Sequence, residues 1–209
     1  MSNITLAPNA SGTATFTVAS PATNTNQVLT LPDATTTLVG TDATQTLTNK
    51  TVQGGTITRG SVQTPSSPAT AVDFLSVIPS WAKRVTVMVN GLTSTVAGQP
   101  IIRIGSGGSI ASTGYASTIG VVGTGTGAGS DTNGFLQVHS ALTSMSFVST
   151  IVNVSGNLWI ASGNITYGGN TTGMTFGSVT LGGVLDSLRV TTLTGVTLTG
   201  GTVNIMWEG

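Results

Sequence analysis

Apolar residues in this chain alternate with polar ones over short runs, and each run stops at a glycine, proline or asparagine. In KRVTVMVNG, Val85, Val87 and Val89 fall on one face, with a turn expected at Asn90-Gly91. In TATFTVAS, Ala14, Phe16 and Val18 oppose Thr13, Thr15 and Thr17. A period of two is the signature of a strand with one buried face. Amphipathic windows rich in alanine, glutamate and lysine are missing throughout. About one residue in five is threonine, a β-branched residue that suits strands, and 29 glycines supply turns and bulges. The pattern predicts an all-β protein.

The spacing divides the chain in three. Residues 1–64 contain pieces of about four to six residues, such as QVLTLPD, TTTLVGTD and QTLTNKTV, each with one or two large apolar side chains. Burying so little cannot offset an ordering cost of about 1–2 kcal/mol per residue. This region therefore needs a cover from outside itself, most simply further copies of the chain. Residues 65–71, with Pro65 and Pro68 among small polar residues, read as a linker. Residues 72–209 hold eight or nine strand patterns, among them QPIIRIGSGG, MSFVSTIVNVSGNLWIASGNITYGG and TVNIMWEG. Their spacing predicts a jelly-roll-like β-sandwich. Between them, residues 112–134 form a Gly/Ser/Thr-rich stretch, expected as a long exposed loop.

Charge excludes several functions. Only 6% of residues are charged and the net charge is +0, whereas a nucleic-acid partner demands a surplus of lysine and arginine. The 38% hydrophobic content argues against disorder. No apolar run of about 18 residues occurs, so no membrane insertion is expected. MSNITLAPNASGTATF lacks the basic and apolar regions of a signal peptide, which fits synthesis in a cytoplasm. Without cysteine there is neither a disulfide framework nor a thiolate metal site.

Candidate chemistry is sparse. GTGTGAG, residues 123–129, has neither the following helix nor the Gly-Lys-Ser/Thr of a phosphate loop. His139, the single histidine, has no nameable nucleophile or orienting acid and reads as a strand-face residue. SDTNG spaces Asp131 and Asn133 by one, too few ligands for calcium, so it reads as a turn. No pair among the six acids is placed for glycoside hydrolysis. Trp81, Trp159, Trp207 and Tyr167 read as packing residues. Packing is the favoured reading for these aromatics, and Tyr115, inside the glycine-rich stretch, is the one that a binding loop would expose. With Gly123, Gly125, Gly127, Asp131 and Asn133 it makes up a candidate binding loop. No catalytic residue, cofactor or metal is expected.

The segment LTLPDATTTLVGTDATQTLTNKTVQGGTI resembles recurring segments of tailed-bacteriophage fibres and other virion-surface proteins, through the LP-D/A-A-x-x-T-L-V-G turn followed by T-L-T-N-K-T. The resemblance covers about residues 16–60, and IPSWAKRVTVMVNG through PIIRIGSGGSIASTGY is similar to a β-rich module of phage structural proteins. It implies a non-enzymatic homotrimer on the virion surface: an extended, intertwined N-terminal arm that anchors to capsid or tail proteins, and a displayed sandwich. Phe16, Leu29, Leu31, Leu38, Val39, Leu47, Val52 and Ile57 would form the shared trimer core. A short fibre or spike, a capsid decoration protein at threefold positions, and a tip that binds host-surface glycan are the three forms this takes.

Overall fold

A computed structural model describes residue 11 and residues 57–66, 69–123, 127–138, 141–167 and 171–209. Of the two units into which the chain divides, Met1–Lys50 and Thr51–Gly209, the second contains all of these but Ser11. Seven of the eight expected trimer-core residues, all but Ile57, lie outside the described residues, as do Gly125 and His139.

The described fold is all-β, without a helix among the described residues. In chain order the strands are β1 Ile57–Arg59, β2 Ala71–Phe74, β3 Arg84–Gly98, β4 Pro100–Ser106, β5 Ser109–Ile110, β6 Ala116–Gly123 and β7 Gly127–Asp131. They continue with β8 Phe135–Leu136, β9 Leu142–Ser155, β10 Leu158–Tyr167, β11 Thr171–Thr180, β12 Leu185–Thr192 and β13 Leu198–Glu208. The large sheet runs β1-β13-β3-β9-β10-β11-β6-β7, and every pairing is antiparallel. The small sheet runs β2-β12-β4-β5, with β8 sharing the β5 edge of β4. Val85, Val87, Phe147, Ile151, Trp159, Val203 and Ile205 of the large sheet share one core with Val72, Phe74, Ile102, Ile104, Leu188 and Val190 of the small sheet. That shared core makes the unit a β-sandwich, and the expected alternation of Val85, Val87 and Val89 is what buries them.

Asn90-Gly91 is a bulge inside β3 where the sequence suggested a turn. Register with β9 shifts between Val89 and Leu92, and with β13 between Gly200 and Thr202. Gly91 has φ +58° and Gly201 φ +94°, so two left-handed glycines stand on adjacent strands. A Cβ on Gly201 would lie 2.5 Å from Leu92 Cα. The extra residue resets the alternation, so that Val89 and then Leu92 both point into the core. A hairpin here would have left half of β3 unpaired.

Residues 57–63 and Ala69 lie along the edge of β13 away from β3. Ile57 pairs with Glu208, and bridges join Gln63 to Val203 and Ala69 to Leu198. The unpaired N–H and C=O groups of that edge thus gain partners from the stretch read as the end of the arm and a linker. Trp81 stands 43% exposed beside the Pro79–Ala82 turn, and Ile78 and Ala82 supply the burial there. Trp159 and Trp207 are packed as expected.

Candidate functional site

The described residues among 112–134 are not one long loop. β6 and β7 pair from Ser117–Asp131 to Val121–Gly127, forming a hairpin at the far edge of the large sheet. Alternating Gly, Ala and Ser in β7 lets a strand of low hydrophobicity lie flat there, because its stability comes from the ladder and not from burial. Gly123 and Gly127 are strand ends, and Asp131 and Asn133 fold onto each other: Asn133 N donates to Asp131 Oδ1 at 2.5 Å. Asp131 also lines a cleft of about 400 Å³ with Ser117, Thr118, Ser130 and Thr132.

Tyr115 is packed and is not part of an exposed binding loop. It is 2% exposed, packed edge-on against Phe135 with ring centroids 5.0 Å apart at 89°. Its hydroxyl accepts from Ile104 N at 2.8 Å and lies 3.1 Å from the carbonyls of Ile104 and Ala111. The reason is a gap in the small sheet. On that edge of β4, β8 pairs with Ile101–Ile102 and β5 with Gly105–Ser106, leaving Ile104 between them. The phenol fills the gap, and burial pushes its pKa up to about 12. An aromatic between glycines in sequence left exposure open, but a buried backbone group needed a partner.

A second buried polar cluster fixes β8 between the sheets. Ser117 Oγ accepts from Leu136 N at 2.9 Å, Thr175 Oγ1 donates to Leu136 O, and Ser149 Oγ donates to Gln137 Oε1. Gln137 is 1% exposed and its Nε2 donates to Phe135 O at 2.9 Å. Space for this segment comes from glycines on the inner face of the large sheet. A Cβ on Gly177 would stand 2.9 Å from the Phe135 ring, and one on Gly163 2.9 Å from Ser149 Cβ. These groups satisfy one another and serve the fold.

Among the described residues, the outer face of the large sheet carries several exposed apolar side chains. Three rows cross it: Met88, Val148, Asn164, Met174 and Gly120; Thr86, Thr150, Ser162, Phe176 and Thr118; Arg84, Val152, Ile160, Ser178 and Ala116. Val148, Ile160, Met174 and Phe176 are between 42% and 55% exposed. Ile160 and Phe176 flank a cleft of about 420 Å³ whose other walls include Thr150, Val152 and Ser162. Across β3, β9, β10, β11 and β6 the only charged side chain is Arg84, held at 2.7 Å by Glu208 at one corner. A flat, nearly uncharged face of this kind can bury against another protein surface without desolvating ions. Sequence reasoning missed it because threonine, serine and single apolar residues look alike on either side of a strand.

The opposite face of the small sheet is charged. Asp73, Arg189 and Arg103 align across β2, β12 and β4, with Arg189 Nε and Nη2 each 2.6 Å from an Asp73 oxygen. That hydrogen-bonded carboxylate raises the Arg189 pKa above its ordinary value. Arg103 Nε donates to Asn133 O at 2.6 Å. Among the described residues no three His, Asp or Glu side chains gather to hold a metal ion. Comparison with protein-family models, curated proteins and solved structures yields no match to this chain.

Proposed function

We propose that this is a non-enzymatic bacteriophage virion protein, a homotrimer whose N-terminal arm anchors it to capsid or tail proteins while the sandwich is displayed. The observation that carries this reading is the segment at residues 29–57, with its virion-fibre pattern and apolar residues too sparse to fold alone. The outer face of the large sheet supports it: Ile160, Met174 and Phe176 project from rows rich in Thr, Ser and Gly, almost without charge. In a closed threefold assembly such a face meets a neighbouring copy, and the edge left by β1 and the β7 hairpin can be protected in the same way. The trimer would be a short fibre or spike, made in the host cytoplasm and carried on the particle surface.

Two other forms keep the virion and change the role. A decoration protein at threefold positions of the capsid uses the same trimer. A glycan-binding tip would rely on the Asp131 cleft of the β6–β7 hairpin, since Tyr115 is committed to the interior. Light scattering on the full chain tests the central reading, with a mass three times that of one chain expected. Phe176→Asp should lower that mass or weaken association while leaving the far-ultraviolet spectrum unchanged. A full-length monomer at micromolar concentration would refute the trimer, and labelling of intact particles separates head from tail.

A further inference from the structure

The ladder between β13 and the residues following β1 opens at one place. Gly60 N donates to Ile205 O at 2.8 Å, and the next pair is Gln63 with Val203, at 2.8 and 2.9 Å. Ser61 and Val62 therefore stand opposite Asn204 alone, which is the geometry of a bulge. Ile205 N–H, deprived of a carbonyl across the ladder, donates instead to Asn204 Oδ1 at 2.8 Å. This bond fixes which way the amide faces, because the reversed amide would set a donor against a donor. Asn204 Nδ2 is then left buried with no partner, in a residue only 5% exposed. A buried amide donor without an acceptor is destabilising, so the position favours any ligand that supplies one.

Asn204 lines an opening of about 260 Å³ together with Arg59, Val62, Met88, Asn90 and Val148. Arg59 makes no ion pair among the described residues, and no acid lines the opening. Its polar rim is thus rich in donors and singly positive, and its walls are aliphatic. The size, just below the range of about 300–1,000 Å³ for ligand pockets, calls for a small occupant. We propose that this bulge is a binding site for a carboxylate on a short aliphatic body: the carboxylate accepts from Asn204 Nδ2 and Arg59, and the chain lies on Val62, Met88 and Val148. The site does not depend on the virion reading.

The test is ligand-observed saturation-transfer NMR and calorimetry on the full chain, with sodium valerate as probe and valeramide as its neutral counterpart. Wild-type protein should bind valerate saturably and at least about fivefold more tightly than valeramide, as a charge-assisted bond requires. Arg59→Gln should weaken valerate about tenfold and leave valeramide unchanged. Asn204→Asp keeps an acceptor for Ile205 N–H but replaces the free donor with a negative charge, so valerate binding should vanish. Failure of valerate to saturate, or equal binding in wild type and Arg59→Gln, overturns the site. Should Asn204→Asp not fold, the Arg59 comparison and the valerate-to-valeramide ratio still decide.

Discussion

Replacing Tyr115 by phenylalanine removes one oxygen from the interior and tests why the residue is there. The ring and its edge contact with Phe135 remain, so little apolar burial is lost. Ile104 N–H, in a residue with 0% exposure, loses its acceptor, whereas Ile104 O keeps the bond from Ala111 N at 3.0 Å. One orphaned buried donor costs about 1–3 kcal/mol. At about 2–4 °C per kcal/mol for a chain of this size, the melting temperature should fall by roughly 2–12 °C. The same hydroxyl sets a pH signature. Its pKa is about 12 in the folded protein and about 10 when unfolded. Below pH 10 both states hold the proton and the stabilisation is complete. Above it the unfolded chain releases the proton first, so wild-type stability declines as pH rises towards 12. The ceiling on that loss is about 2–3 kcal/mol, from about 1.4 kcal/mol per pKa unit. Urea denaturation of wild type and Tyr115→Phe at equal protomer concentration, from pH 8 to pH 12, reads both effects. The wild-type advantage should be steady to pH 10 and then shrink. A difference below about 0.5 kcal/mol at pH 8, or one constant across the range, would refute the gap-filling role.

Gly163→Ala should destabilise by at least about 1–3 kcal/mol, because its Cβ meets Ser149 and stands 3.0 Å from Val148 O; a melting temperature equal to wild type would show that β8 is not seated by that glycine. Gly201→Ala adds a left-handed strain to an overlap with the Gly91–Leu92 backbone, so soluble, cooperatively melting protein from this variant would contradict the paired bulge. Asp73→Asn removes the partly exposed ion pair and leaves Arg189 facing Arg103. It should cost about 1 kcal/mol or less in low salt and still less at 1 M salt, as thermal melts at the two ionic strengths would record.

The sequence by itself determined the class of fold. Alternation at Val85, Val87 and Val89, and the threonine- and glycine-rich composition, leave no helical face to bury, and a two-sheet sandwich follows from having many short one-faced strands. It also determined the near absence of charge, and with it the character of the outer face. Tertiary structure decided everything that depends on which backbone groups lack partners. Asn90-Gly91 reads as a turn in isolation, and only the pairing of β3 with both β9 and β13 makes it a bulge. Tyr115 could serve either packing or a binding loop until β5 and β8 leave Ile104 uncovered. Asn204 is one of many polar residues in a strand until the departing chain at Ser61 and Val62 gives it an orphan donor and a neighbouring arginine. Local sequence carries the period of the side chains, but hydrogen-bond demand is settled between strands as far apart as Ile57 and Glu208, and no local pattern encodes it.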